Sequence, residues 1–194
     1  MLPVFGQDDS PIYLPLITYD YTPGWHWGDA LTVTVSTKTS APPLAAIDRS
    51  GQPHLFWHDT ALDNQVHHAF LAGNEWREAL PSQGTEGDSS VALAPLVEGS
   101  GRIHLIWRNR ATTEDPPYRY LHATFEGDRW STPTEVFRYL YPTTKGWLRM
   151  DTQNQLRVGI TTGFLGVRGV IAALQGSWQL IADFSLPSFA SIVW

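Results

Sequence analysis

The stretch PLAAIDRSGQPHLFWHD (Pro43–Asp59) has a second copy in PLVEGSGRIHLIWRN (Pro95–Asn109), and that pairing decides how the chain is read. His54 matches His104 and Trp57 matches Trp107. Downstream, HHAFLAGNEW (His67–Trp76) matches LHATFEGDRW (Leu121–Trp130), pairing His68 with His122, Gly73 with Gly127 and Trp76 with Trp130. A more worn third copy runs WLRMDTQNQLRVGI (Trp147–Ile160), then VIAALQGSW (Val170–Trp178), and GWHW (Gly24–Trp27) keeps the spacing of a fourth. The resulting series Trp27, Trp76, Trp130, Trp178 has a period of about 50 residues, in the range of repeat architectures.

Each of these tryptophans follows a Gly-containing turn and opens a short run with strand character: WGDALTVTV, WREALPS, WSTPTEVF, WQLIADF. Short apolar or alternating runs bounded by turn residues read as strands. One unit therefore holds four strands, PLAAI, HLFWH, QVHHAFLA and WREAL, with Asp48-Arg49-Ser50-Gly51 and Gly73-Asn74-Glu75 as turns. Four antiparallel strands repeating at this period predict an all-β chain, a β-propeller of four-stranded blades. The expected blades are residues 37–81, 89–137, 146–184, and 185–194 joined to 1–36. They make one domain, 1–194, whose ring is closed by the terminal strands. The alternatives are half of an eight-bladed dimer, or part of a larger propeller.

Composition agrees and narrows the function classes. Nine Trp, seven Tyr and eight Phe accompany 16 Gly and 14 Pro, and only 16% of residues are charged, against roughly 25% in an ordinary globular chain. Aromatics favour strands and Gly/Pro punctuate turns, which argues against a helical bundle. A net charge of −6, with lysine only at Lys38 and Lys145, gives no basic patch. Nucleic-acid partners and membrane insertion are therefore not expected. The absence of cysteine excludes disulfides, thiolate metal sites and cysteine nucleophiles. Met1–Ser10 lacks a basic segment followed by an apolar run, so no signal peptide is expected in this chain. The compartment stays open, with an extracellular or periplasmic setting favoured.

The elements Asp48/Gly51/His54/Trp57, His68/Ala69/Gly73/Trp76 and Trp130/Pro133 resemble the sialidase-like, BNR-type propeller repeat, over most of Pro42–Phe184. The resemblance implies a propeller; such propellers serve as glycosidases, lectins and protein-binding platforms. The chain departs from the family's Asp-box, S-x-D-x-G-x-x-W. The spacings Asp48–Gly51 and Asp151–Asn154 are one residue longer, and Glu98 replaces the Asp. The arginine triad and Tyr/Glu pair of true sialidases have no motif-level counterpart here, so catalysis is not expected.

The equivalent histidines His54/His104 and His68/His122 are read as a packing or hydrogen-bonding feature of each blade rather than as ligands. His67 and His68, adjacent on a strand, point to opposite faces, and no metal signature is present; neither a cofactor nor a metal is expected. Candidate ligand-binding residues lie where the second strand of each blade runs into a loop, since rim loops of a rigid scaffold carry binding residues. They are Trp57, His58, Asp59 and Asn64 in one copy, and Trp107, Arg108, Asn109 and Arg110 in the next. Trp147 lies outside the periodic series and joins them as a platform for stacking on a sugar ring. The expected function is a non-catalytic recognition module for a glycan or glycoprotein surface, as a monomer or homodimer. The alternatives are a sialidase-like glycosidase with Arg108 or Arg110 as carboxylate clamp, and a protein-interaction scaffold.

Overall fold

A computed structural model describes residues 12–18, 26–34, 43–59, 65–73, 75–85, 90–111, 115–142, 145–163 and 167–186. These form only β-strands and turns. A hairpin pairs β1 (Ile12–Thr18) with β2 (His26–Thr34). Sheet I is a meander of β3 (Leu44–Ile47), β4 (Pro53–Asp59), β5 (Gln65–Ala72) and β6 (Glu75–Ala79). Sheet II contains β7 (Ser90–Val97), β8 (Ile103–Arg110), β9 (Tyr118–Glu126), β10 (Arg129–Trp130) and β11 (Thr134–Tyr139). Sheet III contains β12 (Lys145–Met150), β13 (Leu156–Gly163), β14 (Val167–Gln175) and β15 (Ser177–Leu186). All pairings are antiparallel.

Sheet II counts five strands because its outer strand is interrupted: β10 and β11 both pair with β9. Pro133 has no N–H to give the ladder. Ser131 holds the alignment across the break, its N–H donating to the Thr124 carbonyl at 2.8 Å and its Oγ accepting from the Thr124 N–H at 3.0 Å.

The three sheets stack face to face. Phe56, Val66 and Phe70 of sheet I meet Ile103, Leu105, Trp107, Leu121 and Phe125 of sheet II in one core. The opposite face of sheet II, with Ile106 and Tyr120, meets Leu156, Val158, Ile160 and Val170 of sheet III in the next. Central strands are covered on both sides, so β4 is buried from His54 to Asp59 with polar and apolar residues alike inside. The described residues thus contain three full sheets and one hairpin.

The outward face of sheet III is built differently. Trp147 of β12 pairs with Gly159 of β13, and a Cβ at Gly159 would lie 2.1 Å from Trp147 Cε2 and Cζ2. The indole lies over the bare backbone that Gly159 leaves. Gly159→Ala is expected to destabilise the fold by roughly 1–3 kcal/mol through overpacking, with most of the loss recovered in Trp147→Ala/Gly159→Ala; urea denaturation of the cycle checks it, and additive losses would contradict the contact.

Candidate functional site

Three turns of one design set the geometry. In the first, the Asp48 N–H donates to the Gln52 carbonyl at 2.9 Å and the Gly51 N–H to the Asp48 carbonyl at 3.1 Å. The same two bonds recur from Glu98 to Arg102 and Gly101, and from Asp151 to Gln155 and Asn154. The fourth residue is left-handed each time, with φ of 83° at Gly51, 92° at Gly101 and 58° at Asn154. Glycine adopts this conformation without a Cβ penalty, and Asn is among the residues that tolerate it. Asp48 Oδ1 collects the N–H groups of Ser50 (2.9 Å) and Gln52 (2.7 Å), as Asp151 Oδ1 does those of Gln153 (2.8 Å) and Gln155 (2.9 Å). In the second turn the longer Glu98 cannot do this, and Ser100 Oγ accepts from the Arg102 N–H instead. The Arg49 guanidinium bonds the Gly99 carbonyl, tying the first turn to the second.

From each of the first two turns a chain of side chains runs across the sheet; the first is hydrogen-bonded to the next sheet, and the second ends at His122. Trp130 Nε1–H donates to His68 Nδ1 at 3.2 Å, and an indole N–H can only donate. A neutral His68 then carries its proton on Nε2 and donates to His54 Nδ1, 2.9 Å away. His54 in turn presents Nε2–H toward Asp48 Oδ2, 3.7 Å away. The second chain yields the same tautomers from its other end. The Glu98 carboxylate accepts from His104 Nε2 at 3.3 Å, so His104 Nδ1 accepts from His122 Nε2 at 3.1 Å. His122 Nδ1 is left as an acceptor beside Trp178, whose ring stands edge-on at 5.2 Å and whose buried Nε1 makes no hydrogen bond.

Burial, which penalises the imidazolium, pushes His68 and His122 down to about 3. His54 and His104 are also lowered by burial, partly opposed by Asp48 and Glu98. Burial works to raise Asp48 and Glu98, but hydrogen bonds and the facing histidines outweigh it and hold both below the usual carboxylate range. In sheet III, Arg157 occupies the position of His54 and His104. Its Nε and Nη2 reach Asp151 Oδ2 at 2.8 and 2.7 Å, and the hydrogen bonds to Asp151, led by the Gln155 N–H, lower that carboxyl.

Two concavities border these groups. One, of about 390 Å³, opens between sheets I and II beside Asp48, Gln52, His54, Phe70, Arg102 and Phe125. There His54 Nε2 and Gln52 Oε1 are buried without a hydrogen bond. The other, about 490 Å³, lies on the outward face of sheet III beside Trp147, Arg149, Asp151, Arg157, Ile171 and Ile181. One face of the Trp147 indole rests on β13, so the other is turned into this groove.

The residues singled out at the strand ends are distributed unevenly. Trp57, His58, Asp59, Trp107 and Asn109 are buried and present no face to solvent. Trp57 stacks on His67, with centroids 5.2 Å apart. Arg108 is half-buried over the Tyr118 ring at 5.5 Å, Arg110 is exposed and Trp147 half-buried. Asn64 lies outside the described residues. The groove partners of Trp147, namely Arg149, Asp151 and Arg157, were not singled out; the spacing of Asp151 and Arg157, which repeats that of Asp48 and His54, is the signal for that pair. No group of three or more metal-ligating side chains occurs among the described residues.

No family model and no curated protein matches the chain. Solved structures do. An Aleuria aurantia lectin mutant in complex with Fucα1-6GlcNAc shares 17% identity at a TM-score of 0.51, covering 90% of this chain and 53% of the lectin. AofleA from Arthrobotrys oligospora shares 10% at 0.51, covering 88% and 49%. A further structure of the Aleuria lectin, described as a six-bladed β-propeller, matches at 0.50. The fold is that of a β-propeller. The chain spans about half the length of these proteins.

Trp130→Phe leaves His68 Nδ1 buried without its donor and is expected to cost roughly 1–3 kcal/mol. Trp178→Phe, which removes an unbonded N–H, is expected to cost distinctly less. Denaturant unfolding of the two variants compares them, and equal losses would deny the Trp130 bond a role.

Proposed function

We propose that the chain is a non-catalytic carbohydrate-binding β-propeller module whose principal seat is the groove on sheet III. The observation that carries this reading is Trp147, laid flat over Gly159 beside the Arg157–Asp151 pair. An aromatic face complements the C–H face of a pyranose. The neighbouring guanidinium and carboxylate supply the paired donors and acceptors that fix a sugar's hydroxyls. The matched Aleuria aurantia lectin was solved with Fucα1-6GlcNAc and with α-methyl-L-fucoside, which makes a fucoside the first ligand to try. Arg108 and Arg110, at the rim of sheet II, are offered as secondary contacts for a longer glycan.

In this reading the ring has four blades. The fourth is assigned to the chain's two terminal segments, which lie largely outside the described residues. A monomer of 21.7 kDa is then the expected solution mass, and a species of twice that mass would favour an eight-bladed dimer.

Titration with methyl α-L-fucoside, followed by calorimetry and tryptophan fluorescence, is expected to give saturable binding. Trp147→Ala should weaken it at least tenfold, about 1.4 kcal/mol. Silence of the intact protein toward fucosides and a broad glycan panel would sink the proposal.

A further inference from the structure

The two histidine chains do not belong to the groove on sheet III, and what they imply stands whether or not the chain binds sugars. The first runs from Trp130 on sheet II, through two histidines on sheet I, to a carboxylate in that sheet's turn; the second stays within sheet II and ends at His122, beside the unbonded Trp178 indole. At Trp130–His68–His54–Asp48 and His122–His104–Glu98 every imidazole is a single donor and a single acceptor. Adding a proton to any of them turns an acceptor nitrogen into a second donor. His54 Nδ1 and His68 Nε2, 2.9 Å apart, would then both point N–H groups at each other, and a protonated His68 Nδ1 would face the Trp130 indole N–H. No rearrangement within the chain restores the lost bond, because the indole end cannot accept and the carboxylate end cannot donate.

We propose that the Trp130–His68–His54–Asp48 chain is an acid-released latch between sheets I and II, holding that joint closed at neutral pH and letting it part on acidification.

The surroundings fit a latch that opens with protonation. Around His54 and His68 lie Asp48 from the β3–β4 turn, Phe56 on β4, Phe70 on β5, and Phe125 and Trp130 from sheet II. The cleft beside His54 adds Arg102, Glu126 and Asp128. Around His104 and His122 the charged groups are Glu98 and Arg102, with Trp178 covering the end. His68 and His122 therefore see aromatic rings and another histidine, and no carboxylate among these neighbours contacts either to balance a charge. Sheet III provides the internal contrast. Where the first histidine is replaced by the permanent cation Arg157, the residue on β14 in the ladder position of His68 is Ile171, so a cation is carried there without a second imidazole behind it.

The direction with pH follows. The four histidines have folded values below their ordinary 6.5, about 3 for His68 and His122. An opened joint therefore binds more protons than a closed one, and closure is strongest above about pH 6.5. As pH falls below 6.5, each histidine that regains its ordinary affinity favours the open state by about tenfold per pH unit, until its folded value is reached. Asp48 and Glu98, held below the usual carboxylate range, stay ionised through the upper part of this window, so the histidines govern it.

The test uses the full chain without ligand, labelled with 15N and followed by NMR and hydrogen exchange between pH 7.5 and 4. The Trp130 indole resonance should leave its hydrogen-bonded position, and exchange around Trp130 should quicken, while amides inside each sheet stay protected. His68→Gln/His122→Gln keeps one donor and one acceptor at each place and cannot titrate. It should move the midpoint about one pH unit lower and take up fewer protons on opening. Loss of joints and sheets in a single step, no change at Trp130 above pH 4, or an unaltered midpoint in the double variant would overturn the latch. If the double variant does not fold, the tautomers decide: Nε2 protonation of His54 and His68 at pH 7 supports the latch, and Nδ1 protonation of either overturns it.

Discussion

An indole N–H can only donate and a carboxylate can only accept, and the joint between sheets I and II is organised by what that asymmetry imposes on the histidines between them. Strand pairing alone builds three separate meanders. What sets one meander on the next is a pair of apolar cores together with a directed chain of neutral imidazoles. Apolar contact is indifferent to small slips, whereas a chain with a fixed donor end and a fixed acceptor end has one register. Neutrality of the histidines is part of the arrangement, since charging a group buried among Phe56, Phe70 and Phe125 has no compensation there. The hydrogen bonds add specificity to stability that comes mainly from burial.

The turns show how tightly this chain is coupled to local sequence. Asp48 is short enough to hold the N–H groups of its own turn, and its second oxygen stands 3.7 Å from His54. Glu98 is one methylene longer, reaches His104 at 3.3 Å and gives up the turn, which Ser100 takes over. Two different residue pairs thereby reach the same main-chain loop and the same imidazole tautomers. In the third turn Asp151 again holds its own loop and binds Arg157 directly.

These relations explain what was legible beforehand. The histidine positions recur because each chain needs the same residue type at the same places in successive sheets, so a single sequence compared with itself displays them. The opposed directions of His67 and His68 follow from strand alternation, and His67 indeed lies on Trp57 while His68 lies on Phe56. Burial of Trp57, His58, Asp59, Trp107 and Asn109 was not legible, because polarity near a strand end does not reveal whether a central strand is covered on both faces. The seat of Trp147 was hidden for another reason. It depends on β12 and β13 being aligned so that Trp147 falls opposite Gly159, and register across two strands is not written in either strand alone.

The three sheets also differ in how closely the face of each is packed. In sheets I and II the position that pairs with the second histidine carries Phe56 or Ile106, and the joint is filled. In sheet III the corresponding position is Gly159, the second histidine is Ile171 and the first is Arg157. Those three exchanges remove the chain that would hold a following sheet, and leave bare backbone on which an indole can lie. A filled joint rewards rigidity and leaves little room for a ligand. A joint stripped to Gly159, with Trp147 swung over it and an ion pair at its edge, keeps the aromatic surface but gives up the close fit. Binding capacity on this scaffold is thus expected where the repeat is most worn, because wear in the packing residues is what opens space against an otherwise stiff sheet.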